Sequence, residues 1–237
     1  MRALCLLAVL TFASPSFAKC MSSYWEVWPA AGSTLPVNGR VIIGAFGTAT
    51  GDVEKLAGFG PALVATGHRV ALAVKQTNVA EMKVAQAVLV PVEPLKPGLH
   101  YALTWKKTPP GFSLPANWNV AASRDDVAPT WKSAPVALSG EHAELGCGPA
   151  DNAFVKVDVD DETTLIRARV LRGAKSTEYL LPWKAGERLA IGHGMCSGAF
   201  VPTADVWTLE LSVVDVAGNE AAAPGAALHF KSLDPLK

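Results

Sequence analysis

The sequence predicts an all-β protein, made of two tandem antiparallel β-sandwich domains that follow a signal peptide. Apolar residues alternate with polar ones at a period of two through much of the chain, as they do in strands with one face buried. Proline and glycine separate the alternating runs, and short strands at such spacing are typical of sandwiches and barrels. Convincing amphipathic helices are absent from the sequence, which disfavours an α/β enzyme scaffold.

The alternating runs indicate which residues face the core. One face of each run is apolar, and in the second half the opposite face is charged, as expected of antiparallel sheets with one side in water. The clearest core positions are Tyr101, Leu103 and Trp105 in the first half and Val155, Val157, Val159, Ile166, Ala168, Val170, Trp207, Leu209, Leu211 and Val213 in the second.

Composition favours a folded, neutral protein. Apolar residues make up 50% of the 237 positions and charged residues 18%, so a packed core is expected. Lys+Arg and Asp+Glu both total 21, and no basic stripe is evident. Nucleic-acid binding requires such a stripe to displace counterions from phosphates, so we expect no nucleic-acid partner.

The first residues predict export. Arg2 precedes an apolar run from Ala3 to Phe12, and residues 16–18 (Ser-Phe-Ala) form a small-x-small cleavage site. This run is about half as long as a membrane-spanning helix, and no later stretch approaches that length; the best, Leu63 to Val74, contains His68 and Arg69. We therefore expect no transmembrane helix in the mature chain. The expected location is the periplasm, the outer surface or the extracellular medium.

A boundary between the two domains is expected after Arg124. Asp125 and Asp126 are followed by Val-Ala-Pro, and proline lacks the amide hydrogen that a regular strand would need at Pro129. We therefore predict a signal peptide at 1–18, a first domain at 19–124, a linker at 125–130 and a second domain at 131–237.

Several turn motifs resemble bacterial immunoglobulin-like (Ig-like) and fibronectin-type modules. Residues 28–38 (Trp-Pro-Ala-Ala-Gly-Ser-Thr-Leu-Pro-Val-Asn) resemble the opening of such domains, and residues 90–101 match their Pro-Leu-x-Pro-Gly-x-x-Tyr stretch. Residues 215–219 (Asp-Val-Ala-Gly-Asn) are similar to a common ending of tandem repeats. The resemblance implies Ig-like sandwiches, with a tyrosine corner at Tyr101. It says little about function.

Cysteines predict one structural disulfide. Export favours a bond between Cys147 and Cys196, which would stabilise the second domain by roughly 4 kcal/mol through a closed loop of about 50 residues. Cys20 is then left over. It is a free thiol, a link to another chain, or the partner of Cys147 or Cys196 in place of the first pairing.

Metal binding is an alternative at two places. His193, Met195 and Cys196 place an imidazole, a thioether and a thiol in one glycine-rich loop, and these are ligands that suit copper. The first domain also distantly resembles periplasmic copper-carrier sandwiches. Asp125 and Asp126 resemble a calcium-binding linker, although calcium requires six to eight oxygen ligands.

Catalytic motifs are missing from the sequence. It contains no Gly-x-Ser-x-Gly, His-Glu-x-x-His or phosphate-binding glycine loop, and the acid–base pattern at residues 141–144 is expected on an exposed loop. We therefore expect no enzyme and no cofactor. A further alternative is a carbohydrate-binding accessory protein, in which Trp25 and Trp118 stack on sugars.

The leading hypothesis is a non-enzymatic exported interaction module of the cell envelope or surface. Ig-like domains bind protein partners through sheet edges and end loops. A protein partner or cell-surface component is expected, and its identity is not evident from the sequence.

Overall fold

The computed structural model describes residues 23–161, 164–202 and 206–230, and nearly all of its regular structure is β, as predicted. Residues 1–18 and Cys20 lie outside these ranges. Within the described ranges, helical structure consists of α1 (Thr50–Val53) and one 3₁₀ turn (Leu56–Phe59). No helix in the described ranges is long and apolar enough to span a membrane.

The first segment, residues 23–120, forms one hydrogen-bonded array in the order β1-β3-β6-β5-β4-β7-β8-β2. β2 and β8 run parallel, and the other pairs are antiparallel. The strands are β1 (Ser23–Trp28), β2 (Thr34–Leu35), β3 (Val41–Gly47), β4 (Pro61–Ala65), β5 (His68–Val79), β6 (Val84–Pro91), β7 (His100–Trp105) and β8 (Asn117–Val120).

The long strand β5 allows this array to enclose a core. Its first residues pair with β4 and the rest with β6, and the register shifts between Val74 and Gln76. Such irregularities bend a strand and increase its twist. The core contains Trp25, Leu63, Val70, Leu89 and Trp118, among other buried residues.

Tyr101 has the geometry of the expected tyrosine corner. Its side chain is fully buried, and its hydroxyl accepts a hydrogen bond from the backbone N–H of Lys96 at 3.1 Å. His68 Nδ1 lies 2.6 Å from the same hydroxyl. Leu103 and Trp105, expected in the core, are partly buried and pack against it.

The second segment, residues 136–230, contains two sheets around one core. The four-stranded sheet has the order β10-β11-β14, with β9 also on β11; the five-stranded sheet has the order β13-β12-β15-β16, with β17 also on β15. The strands are β9 (Val136–Ala137), β10 (Glu141–Leu145), β11 (Gly148–Lys156), β12 (Leu165–Arg172), β13 (Lys175–Pro182), β14 (Arg188–His193), β15 (Trp207–Val214), β16 (Glu220–Ala222) and β17 (Leu228–Phe230).

The period-two pattern correctly predicted this second core. All the alternating residues expected to face inward in this half are buried. They come from both sheets, so the two sheets pack face to face. Residues 121–135, around the predicted linker, contain no strand. The limits predicted for the signal peptide, the two domains and the linker stay predictions.

The two segments pack against each other through the outer faces of their sheets. Ile42 and Val88 of the first segment form an apolar cluster with Leu165, Leu180 and Val214 of the second. All five are buried. Fully burying one side chain of this size contributes about 1.5–3 kcal/mol, so this contact is a substantial part of the stability.

Gln86 completes the contact by pairing with an edge strand. Its Nε2 donates to Leu180 O at 3.1 Å, and its Oε1 accepts from Leu180 N at 2.7 Å. Asn78 Nδ2 donates to the same Oε1 at 3.0 Å. Since β13 is an edge strand, this side-chain amide occupies the position that another strand would take.

The β5–β6 turn adds a charged contact. The Glu81 carboxylate accepts hydrogen bonds from Arg172, from Thr177 Oγ1 at 2.7 Å and from Val201 N at 2.7 Å. Burial by itself raises the pKa of Glu81, but these donors outweigh burial and hold the pKa below its usual 4.5.

The turn at residues 215–219 is a third contact between the segments. Gly218 has a positive φ of 84°, and Asn219 N donates to Asp215 Oδ1 at 2.8 Å, which confirms the predicted turn. Val216 packs into the core of the first segment, and its carbonyl accepts from Arg40 N at 2.7 Å. The positive φ favours glycine at this position, and a Cβ there would also lie 1.8 Å from Arg40 Cζ, so the end of the Arg40 side chain would have to move.

We expect Gln86→Leu to destabilise the protein by about 1–3 kcal/mol, because it leaves both polar groups of Leu180 buried without a partner. Urea unfolding followed by tryptophan fluorescence measures this change. Lys75→Leu, at an exposed position on β5, serves as the control. Equal midpoints for the two variants would contradict the role assigned to Gln86.

We expect the stability difference between the wild type and Glu81→Gln to depend on pH. Because the folded pKa lies below 4.5, the contribution of the carboxylate is present above that pH and is lost as the pH falls through the folded pKa. Unfolding curves at neutral pH and at acidic pH measure the difference. A difference that persists in acid would show that the charge of Glu81 is not responsible.

Candidate functional site

Asp125 and Asp126 lie at the joint between the two segments and bind protein groups. Asp126 pairs with Arg124 at 3.2 Å, and both side chains are exposed. Asp125 Oδ1 accepts from Val127 N at 3.2 Å, and its carbonyl accepts from the side-chain amides of Asn38 and Asn219. The described ranges contain no group of three or more His, Cys, Asp or Glu residues placed to hold a metal ion.

His193 belongs to a row of polar residues across the four-stranded sheet. Asp151 on β11 lies opposite His142 on β10 and opposite His193 on β14. Residues directly opposite each other share a face, which here is the face that carries Ala153 and Ile191 into the core. The row therefore lies where the apolar core of the second segment ends.

The Asp151 carboxylate lies between the two imidazoles. Its Oδ1 is 2.6 Å from His142 Nδ1, and its Oδ2 is 3.6 Å from His193 Nε2. His142 Nε2 is 3.1 Å from Glu144 Oε1. Since carboxylates only accept, both nitrogens of His142 donate when the imidazole is protonated, and the Asp151 hydrogen bond raises the pKa of His142 above its usual 6.5.

His193 is buried, with its side chain 5% exposed. Its Nδ1 lies 2.9 Å from Gly194 O, and because a carbonyl only accepts, this nitrogen carries a proton. A Cβ at Gly192 would lie 1.9 Å from Asp151 O, and one at Gly198 would lie 2.2 Å from His193 Cα. Glycines on both sides therefore allow the close packing of this loop.

Met195 links the loops that carry the two cysteines. Its sulfur accepts a hydrogen bond from the backbone N–H of Cys147 at 3.3 Å, so the loop before β11 lies beside the loop that contains Cys196. The disulfide between Cys147 and Cys196 stays a prediction, as do the alternative pairings with Cys20. The proposed ligand His193 contacts Asp151, which the sequence did not single out.

Trp25 and Trp118 do not form sugar-binding platforms. They are 6% and 0% exposed, and their indole N–H groups donate to Pro110 O and Pro29 O at 3.1 and 3.0 Å. The interpretation that these rings stack on carbohydrate is therefore wrong. Both rings are part of the first core instead.

Residues 136–145 form an exposed edge on the four-stranded sheet. β9 and β10 run along β11 one after the other, so residues 141–144, expected on a loop, belong to a strand. Three apolar side chains on this edge are exposed: Val136 by 53%, Leu138 by 41% and Leu145 by 47%. The alternation of Val136 and Leu138 after Pro135 is a short strand pattern that could have indicated this edge from the sequence.

A surface cavity lies beside Leu138. It has a volume of about 370 Å³, and its lining also includes Lys156 and Arg188. The Arg188 guanidinium lies 3.6 Å from the centre of the Phe154 ring and 2.6 Å from Glu141 Oε1. The exposed edge and this cavity together, here called the β9 edge, form a partly apolar surface with a fixed cation.

Comparison with known proteins does not identify a family. No protein-family model matches the chain, and no curated protein matches it. Solved structures give only remote similarities.

The similar structures include pullulanase type I from Bacillus subtilis str. 168 complexed with maltose, at 8% identity and a TM-score of 0.25. The match covers 87% of this chain and 27% of that one. Dimeric latent PorU from Porphyromonas gingivalis gives 12% identity and a TM-score of 0.30, and the match covers 86% of this chain and 20% of that one. The tandem Ig repeats of Dlar give 9% identity and a TM-score of 0.22, and the match covers 87% of this chain and 96% of that one. The chain thus spans about a quarter of the pullulanase.

We expect His142 to titrate above pH 6.5, and the midpoint to fall in Asp151→Asn, which removes the nearest carboxylate. Because the folded pKa exceeds the unfolded one, the stabilisation is present below pH 6.5 and is lost as the pH rises through the folded pKa. NMR titration of the imidazole protons measures the midpoint. A wild-type value at or below 6.5 would refute the arrangement of the row.

Proposed function

We propose that this protein is a non-enzymatic exported interaction module of the cell envelope or surface, and that it binds a protein partner. The export pattern at residues 1–18 supports the location. The observation that carries the binding role is the β9 edge, where Val136 and Leu138 are exposed and where β9 pairs with no strand except β11 among the described residues. Exposed edges and apolar side chains of this kind are used in strand addition.

The backbone of β9 has hydrogen-bonding groups available to a partner. Leu138 N donates to Phe154 O at 2.8 Å, so the polar backbone groups of Leu138 point toward β11. Successive residues of an antiparallel strand alternate in this direction. The N–H and C=O of Ala137 therefore point away from β11, where an extended segment of a partner can pair with them.

The neighbouring side chains provide the contact area. The exposed faces of Val136 and Leu138 and the cavity beside Leu138 can take apolar side chains of the added segment. Burying each of the two would contribute about 1–2 kcal/mol at 25 cal/mol per Å² of apolar area. Arg188, already paired with Glu141, borders this cavity.

The part of this edge that follows Leu138 has features that oppose non-specific strand pairing with other chains. Ser139 and Gly140 lie between the two pairing stretches, where Leu138 lies opposite Phe154 and Glu141 opposite Asn152. These two residues face the single residue Ala153 of β11, and this arrangement is a β-bulge. Beyond it, β10 carries Glu141 and Glu144, and charges on an edge oppose aggregation.

We expect benzoylphenylalanine placed at Leu138 to yield a discrete cross-linked protein adduct when the exported protein is irradiated in its native cell envelope. The same group at the exposed Lys175, on the β12–β13 hairpin, serves as the control and should yield none. Ala137→Pro should abolish the adduct, because it removes the N–H that points toward the partner.

A thermal unfolding curve shows whether the proline variant is folded. Ala137→Pro should be less destabilising than Leu138→Pro, which removes a hydrogen bond to β11. The absence of an adduct at Leu138, or an adduct that persists in folded Ala137→Pro, would contradict strand addition at this edge.

A further inference from the structure

A broad concavity lies on the outer face of the first segment, away from the residues discussed as sites. It has a volume of about 700 Å³ and is lined by residues of β4, β5 and the end of β7. Its floor includes two alanines on one face of β5, the exposed Ala71 and the partly buried Ala73; Ala62, opposite Ala71 on β4, is 1% exposed and is therefore already covered. The small side chains leave room above the sheet for a ligand.

Among the described residues, two cations border this concavity and no acidic residue lines it. They are Arg69 on β5 and Lys106 after β7, and both are exposed. Neither forms an ion pair within the described ranges, whereas most arginines there do. Those with a carboxylate partner are Arg124, Arg167, Arg169, Arg172 and Arg188.

Hydrogen bonds to neighbouring residues position both cations, through the side chain of Arg69 and through the backbone of Lys106. Arg69 Nη1 donates to Thr104 Oγ1 at 3.4 Å, and that hydroxyl donates to Ala62 O at 3.2 Å. The Arg69 side chain therefore reaches across β4 with most of its donors unused. The backbone N–H of Lys106 bonds to Phe59 O and Gly60 O, and a Cβ at Gly60 would lie 2.8 Å from Lys106 Cβ. Glycine at that position makes room for the lysine.

We propose that this concavity, here called the Arg69 groove, binds an acidic, extended segment of another protein. Carboxylates of the segment pair with Arg69 and Lys106, and its small apolar side chains rest on the alanine floor. The surface is separate from the β9 edge, so this inference does not depend on the proposed strand addition.

The chemistry of the floor favours a polypeptide over a glycan. Sugar binding uses an exposed aromatic face and many side-chain hydrogen bonds. Trp105, the aromatic residue in the lining, packs against the core and meets Phe112 edge-on at 5.1 Å. Alanine methyl groups offer no partners for hydroxyls. Two cations are also too few for the phosphates of a nucleic acid.

The test uses the full mature protein and a fluorescein-labelled peptide of alternating Glu and Ala, titrated at low salt and followed by fluorescence anisotropy. We expect saturable binding that weakens as salt is added. Arg69→Gln and Lys106→Gln should each weaken binding about fivefold, the upper range for one exposed ion pair. Lys175→Gln, which removes an exposed charge elsewhere, should change nothing.

A second variant separates shape from charge. Ala71→Phe fills the floor of the groove at an exposed position and should abolish binding although both cations remain. Circular dichroism and thermal unfolding verify that each variant is folded. The corresponding Gln–Ala peptide should bind much more weakly than the Glu–Ala peptide in the wild type.

Three results would overturn the proposal. One is no binding of the Glu–Ala peptide at millimolar concentration, and another is binding that is unchanged in both Arg69→Gln and Ala71→Phe. The third is tighter binding of oligogalacturonate that the same variants abolish, because it would make an acidic glycan the ligand. Each result leaves the cross-linking at Leu138 unaffected, so the two proposals fail independently.

Discussion

The arrangement of this protein depends on how the first segment covers the β13 edge of the five-stranded sheet. Gln86 supplies both a donor and an acceptor to Leu180, and the apolar cluster around Ile42 and Val88 excludes water from that pair. Inside such a cluster an unpaired amide costs more than a hydrogen bond contributes. Separating the segments would expose the apolar cluster and leave the edge strand unpaired, so the two segments are expected to behave as one structural unit.

This packing determines which surfaces remain for partners. β13 is covered by the first segment, whereas β9 pairs with no strand except β11 in the part of the chain that the structure describes. The sheet of the first segment uses β3 and β6 for the contact, so the outer face of β4 and the start of β5 stays exposed. The proposed β9 edge and Arg69 groove would give a partner two separate points of contact. Two such contacts act together only when their spacing matches the partner.

Local patterns predicted most of the secondary structure and part of the site. Val155 and Val157 face the core because the side-chain period of a strand is two, and Tyr101 forms its corner because a buried hydroxyl requires a partner. His193 was found as a polar residue in a glycine-rich loop, but its neighbour Asp151 was not. The two meet through the pairing of β11 with β14, which no local pattern encodes.

The sequence by itself determined the all-β class, the positions of many strands and the turn at Gly218, because these follow from side-chain periodicity and backbone sterics within a few residues. Only the tertiary structure decided what these elements touch. It placed Val216 in the core of the other segment and buried Trp25 and Trp118, and it gave Arg69 no carboxylate partner within the described ranges. Burial and pairing depend on residues far apart in the chain. The composition could not indicate the Arg69 groove, because equal numbers of positive and negative residues do not show where each charge lies.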